Sequence, residues 1–154
     1  MKLPENVELA IEEFVKACKR KFKKDLVSIV LFGSYARGDW KKYSDVDLLI
    51  IAKKLPKDLK ERFDLLDETV MLIAKKFRIK IMPIFFEPDE LSTTYPNPLV
   101  YGILTGFKVI LGEEFWNSYL KSLYPFAAKV NPEYWDGERK WMIKNLIEDW
   151  LRNS

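Results

Sequence analysis

The sequence predicts an α/β (α+β) domain: a small mixed β-sheet flanked by helices, with a C-terminal helical extension. Three observations carry this. Short apolar runs rich in Val and Ile at 26–32, 45–52, 79–86 and 107–111 alternate with stretches of helical periodicity. The first run ends in a Gly33-Ser34 turn, and the second opens on two alternating aspartates, Asp45 and Asp47. The length of 154 residues suits one domain, 1–154, with a core over about 26–111 and helices over about 113–153.

Residues 4–24 read as an amphipathic helix, because Leu9, Ile11, Phe14, Val15, Cys18 and Phe22 recur at helical spacing and Pro4 suits a first turn. A buried strand over 26–32 follows, then a short helix or turn over 34–38. The second strand, 45–52, continues through Leu48, Leu49, Ile50 and Ile51. Pro56 opens a helix to about residue 77, with Phe63, Leu66, Val70 and Ile73 on its inner face. In the third strand, 79–86, Pro83 cannot donate to a ladder, which makes this an edge strand or a bulge.

Pro88-Asp89-Glu90 starts a turn. A short helix over 98–105 ends at Gly106, a fourth strand spans 107–111, and a helix over 113–123 stops before Pro125. Pro132 starts a last helix that runs to the C-terminus. Trp135, Met142, Leu146, Ile147, Trp150 and Leu151 form its apolar stripe, which packs on its own domain or pairs with a partner. Most aromatics of this half, Tyr95, Trp116 and Tyr119 among them, are expected in the core.

Composition narrows the chemistry. The absence of histidine excludes a histidine base and histidine metal ligands. A net charge of +3 is a mild bias that does not by itself indicate nucleic acid. The cluster of Lys16, Lys19, Arg20, Lys21, Lys23 and Lys24 reads first as the solvated end of a helix, where cations suit the dipole, and second as a patch for a polyanion such as RNA. No apolar run is long enough to span a membrane, and the opening residues lack the apolar core of a signal peptide. Cys18, the sole cysteine, cannot form an internal disulfide, so a cytoplasmic location is expected.

A Gly-Ser turn opening a helix can hold phosphate, because backbone N–H groups point outward and no Cβ blocks approach. Aspartates at i and i+2 of a strand project from one face and can grip one hard cation. A phosphate seat beside a divalent-metal seat is the minimal equipment for chemistry on a nucleoside triphosphate. Trp40, in the spacer, either stacks on a base or packs over the sheet edge.

The string Gly33-Ser34-Tyr35-Ala36-Arg37-Gly38 with Ser44-Asp45-Val46-Asp47-Leu48 resembles the DNA polymerase beta-like nucleotidyltransferase superfamily, and within it the minimal nucleotidyltransferases. The resemblance implies a nucleotidyltransferase fold that binds a nucleoside triphosphate with Mg²⁺. It implies transfer of a nucleoside monophosphate to an acceptor hydroxyl, with pyrophosphate leaving. Asp45 and Asp47 take the catalytic and metal-binding roles. Gly33, Ser34, Arg37 and Ser44 take the nucleotide-binding ones. Ser34 caps the helix or donates to a phosphate oxygen. Arg37 contacts phosphate or braces the loop through a carboxylate, and Ser44 orients the loop or is a turn residue. A helical partner protein or a homo-oligomer is the implied assembly.

One departure stands out. Catalytic relatives carry a third carboxylate on a later strand, where this chain offers Lys80 and Met82, and the resemblance places the lost acid at Met82. Glu87, Asp89 and Glu90 lie beyond and read as a solvated turn. The alternative to an enzyme is therefore a non-catalytic interaction module, antitoxin-like, paired with a helical partner protein.

Overall fold

The computed structural model describes residues 2–94 and 96–153; Tyr95, placed in the core by the sequence, lies outside them. Helix α1 (Glu5–Phe22) leads into β1 (Leu26–Phe32), a single short turn of helix α2 (Ser34–Arg37) and β2 (Val46–Ala52). Helices α3 (Leu59–Asp64) and α4 (Asp67–Phe77) precede β3 (Ile81–Phe86), α5 (Pro98–Leu104) and β4 (Phe107–Leu111). Helix α6 (Glu113–Val130), a hairpin of β5 (Glu133–Asp136) and β6 (Arg139–Met142), and α7 (Ile143–Asn153) complete the chain.

The four-stranded sheet has the order β3-β2-β1-β4. β1 runs antiparallel to both β2 and β4, and β2 runs parallel to β3, so the sheet is mixed. Pro83 sits in an edge strand, where its missing N–H leaves no central ladder broken.

Strand parity divides the core between two faces. Ile29 and Leu31 of β1, with Val46, Leu48 and Ile50 of β2, pack with Phe14 of α1 and Ile73 of α4. Val30 and Phe32, with Leu49 and Ile51, pack under α5, α6 and α7 against Ile103, Trp116 and Ile147. Asp47 continues the Leu49–Ile51 row to the end of its strand. Cys18 is buried in the first cluster, where desolvation pushes its thiol up to about 12 and leaves it unreactive at neutral pH.

Three expected elements differ. The last helix begins at Ile143, not Pro132, because residues 133–142 form the hairpin. Trp135 therefore belongs to β5 and is exposed rather than part of a helical stripe. The β-favouring aromatics Tyr134 and Trp141 pair across the strands, and Gly137, at φ 59, makes the tight reversal. The rest of the stripe, Leu146, Ile147, Trp150 and Leu151, packs on its own domain, and Trp150 Nε1 donates to Asn117 Oδ1 at 2.7 Å.

The helix expected over 56–77 is broken in two. Arg62 turns inward to donate to Pro56 O at 2.5 Å and to Glu90 Oε1 at 2.8 Å, which rotates Phe63 out to 64% exposure. Leu66 and Val70 are only partly buried. Helix α6 runs through Pro125 to Val130, because burial of Ala127 on the core offsets the missing N–H of Pro125.

Candidate functional site

Gly33, Ser34, Arg37, Ser44, Asp45 and Asp47 all line one cleft of about 420 Å³ at the end of the sheet. The six residues singled out in the sequence are thus brought together, across a spacer of turn and loop. Gly33 holds the N-cap of α2 at φ 74, ψ −159, a conformation open essentially to glycine. Gly33, not Ser34, is therefore the cap residue; Ser34 is the first helical residue, at the cleft wall. The carbonyl of Gly33 accepts from Ala36 N at 3.1 Å and Arg37 N at 3.0 Å.

Asp45 lies just before β2 and Asp47 within it. Asp47 stands in register with Phe32 of β1 and with Met82 of β3. Burial and the negative charge of Asp45 push the Asp47 carboxyl up to about 6, against the pull of Arg37. Ser44 Oγ accepts from Lys41 N at 2.7 Å, and Ser44 N donates back to Lys41 O at 3.1 Å. That closed turn delivers the chain to Asp45. Arg37 Nε donates to Asp39 Oδ2 at 3.3 Å, so Arg37 braces its loop while lining the cleft. Trp40 stacks on Tyr35 with ring centroids 5.3 Å apart, which gives it a packing role.

The residues beyond the motif divide differently. Met82 sits beside Asp47, as the sequence places it. Lys80 precedes β3 and is exposed. Glu87 and Glu90 do not reach back to the aspartates. They cap their own turn, which is solvated at Asp89 and Glu90, and both pair with Arg62, at 3.8 and 2.8 Å. Among the described residues, no group of three or more carboxylate or cysteine side chains is placed to hold a metal ion.

Sequence reasoning missed the far wall of the cleft, formed by Leu99, Gly102 and Ile103 of α5 and Tyr134 of β5. The Asp136-Gly137 pair between aromatic stretches was the available hairpin signal.

A Gly-Ser turn facing two aspartates at the end of a mixed four-stranded sheet defines a nucleotidyltransferase fold. The family model described as a nucleotidyltransferase domain matches residues 11–95. A relative from Methanocaldococcus jannaschii, MJ1305, named as a candidate protein adenylyltransferase, is 46% identical over 138 residues, 89% of this chain and 94% of its own. The chain belongs to the nucleotidyltransferase domain family.

Two solved structures share the fold. Spectinomycin adenyltransferase AAD(9) from Enterococcus faecialis, with ATP and spectinomycin, matches at TM-score 0.55 and 16% identity, over 80% of this chain and 66% of that one. A toxin-antitoxin structure with AMP-PNP matches at TM-score 0.51 and 21% identity, over 77% and 87%. Nucleotidyltransferases of this family generally use a divalent metal. Among the described residues, no helix is long and apolar enough to cross a membrane.

Proposed function

We propose that this chain is an adenylyltransferase that binds ATP with Mg²⁺ and transfers AMP to a hydroxyl of an acceptor protein. One observation carries the reading: two aspartates face a glycine-built turn inside one cleft, with Asp47 held against Gly33. The name of the Methanocaldococcus relative supports AMP as the transferred group and a protein as acceptor.

The donor set suits Mg²⁺. That ion is usually held by one or two carboxylates together with substrate phosphates, and it needs no closed cage of protein ligands. Burial first, and the negative charge of Asp45 second, raise the Asp47 carboxyl, and a cation held between the two carboxylates would relieve that repulsion. Asp45 and Asp47 would hold the ion, which would neutralise charge on the triphosphate. Gly33 and Ser34 present the turn to the phosphates, and Ser44 fixes the approach to Asp45. Arg37 supplies positive charge at the cleft wall. The acceptor hydroxyl oxygen attacks the α-phosphorus in line and releases its proton to water, the bond to the bridging oxygen breaks, and pyrophosphate leaves. Residues 1–154 work as one unit on this reading, since α5 and the hairpin wall the same cleft as the motif. A cytoplasmic setting fits the single buried Cys18.

Met82 beside Asp47 favours a second reading, an antitoxin-like binding module paired with a helical partner protein. Nothing at that position offers a base for the acceptor proton. Incubation with α-labelled ATP, Mg²⁺ and host proteins separates the two. Label transferred by the parent, and lost with the Asp45→Asn/Asp47→Asn double variant, supports the enzyme. Nucleotide binding with no transfer to any protein moves the reading to the module.

A further inference from the structure

We propose that the β5–β6 hairpin completes the cleft as the seat of the nucleobase, with Tyr134 as the side chain that grips it. This rests on reading the Gly33–Asp47 end as the seat of the triphosphate and its metal.

The cleft is lined by two chemically distinct sets of residues: Arg37, Asp45 and Asp47 from the motif, and Leu99, Ile103 and Tyr134 from α5 and the hairpin. A nucleoside triphosphate has the same division, with charge at one end and a flat aromatic base at the other. Helix α5 omits a side chain where the tyrosine comes in: a Cβ at Gly102 would lie 3.3 Å from the Tyr134 hydroxyl. The ring is half-buried and is held on its strand by Trp141, at a centroid distance of 6.0 Å. Aromatic rings of this kind bind bases by stacking.

The hairpin is also tied to the phosphate end. Arg139 of β6 donates to Asp39 Oδ2 at 3.5 Å, and the same oxygen accepts from Arg37 Nε at 3.3 Å. One carboxylate thus links the strand after the hairpin turn to the loop after the Gly-Ser turn. These residues are a hundred positions apart in the chain, so the link holds the hairpin beside the loop that follows the Gly-Ser turn.

The test uses the full chain with Mg²⁺ and compares ATP with inorganic tripolyphosphate, which has the charged end and no base. Affinities are measured by calorimetry, with circular dichroism as the folding control. Tyr134→Ala is expected to weaken ATP about ten-fold or more while leaving tripolyphosphate unchanged, and Tyr134→Phe to restore ATP. Should Tyr134→Ala fail to fold, Gly102→Leu fills the same end from a helix that favours leucine over glycine. It is expected to lose ATP and keep tripolyphosphate. Equal weakening of both ligands, or no change in either, overturns the assignment of the hairpin and leaves the phosphate seat standing. A parent that binds neither ligand overturns the phosphate seat itself, and the base seat with it.

Discussion

The carboxylate of Asp47 occupies the space that a side chain on Gly33 would need: a Cβ there would fall 2.1 Å from Asp47 Oδ2. Asp47 lies on β2, and Gly33 stands one step beyond the Phe32 of β1 that pairs with it in antiparallel register. The glycine therefore does two things at once. It supplies the φ of 74 that turns the chain into α2, and it leaves room for the acid at the mouth of the sheet.

Gly33→Ala should fail on both counts. The positive φ alone costs about 1–3 kcal/mol in a residue with a side chain. The new methyl group must also displace the carboxylate. The expected result is a lower urea midpoint and loss of the thermal shift that Mg²⁺ and ATP give the parent. An alanine variant with parental stability and a parental ligand shift would mean that the turn and the acid do not share this space.

The Asp47 carboxyl, raised to about 6, carries a stability signature. In the folded chain it keeps its proton to a higher pH than in the unfolded chain, where an aspartate ionises near its ordinary value of about 4. Stability contributed at this site therefore falls as pH rises from about 4 to about 6, and stays reduced above that. Asp47→Asn removes the penalty. In metal-free buffer at pH 8 the variant should be more stable than the parent by about 1–2 kcal/mol, a figure discounted for screening in an open cleft. Below pH 4 the two should coincide. Urea melts at both pH values check this, and a difference independent of pH would contradict it.

Strands β1 and β4 match the expected spans because each is an apolar run interrupted once, by Ser28 and by Lys108, and closed by a glycine. The placement of Asp47 was legible from parity alone, since it shares a face with Leu49 and Ile51. Residues 133–142 were not. Their apolar positions fit a helical stripe as well as a hairpin, Asp136-Gly137 is the one local cue against the helix, and the pairing of Tyr134 with Trp141 agrees with that cue. Phe63 and Arg62 show the same limit. Periodicity puts the phenylalanine inside, but carbonyls and a carboxylate contributed by distant segments draw the arginine in instead. The wall of the cleft was hidden for the same reason: it comes from elements that meet the motif only in the folded chain.

Arg62 should matter for the fold and not for the site. Its side chain is 7% exposed, and it ties α3 to the Glu87–Glu90 turn beyond β3. Arg62→Ala leaves the part-buried carbonyl of Pro56 and the buried carbonyl of Phe85 without this donor. With Glu90 partly open to water, the expected loss is about 2–3 kcal/mol in urea denaturation. Affinity for ATP with Mg²⁺ should stay within about two-fold of the parent, since such distant sites behave independently. A large loss of affinity in a folded variant would tie this ion pair to the cleft.

Met82 lies across from Asp47 in parallel register, on the strand face that also carries Ile84 and Phe86. An acid there would stand beside the aspartate pair. Without metal, Met82→Asp should lower stability, because a third negative charge joins two that already repel. Added Mg²⁺ should recover more stability in this variant than in the parent. With α-labelled ATP and an acceptor protein, transfer should rise about ten-fold or more, because a carboxylate at this position can take the acceptor proton. Nucleotide affinity should change far less. Met82→Asn, similar in size and uncharged, should give neither effect and serves as the control for packing. Fast transfer by the parent, left unchanged by Met82→Asp, would mean that the missing base comes from the acceptor or a partner protein. A well-folded Met82→Asp that binds ATP and transfers nothing would shift the reading of this chain to the binding module.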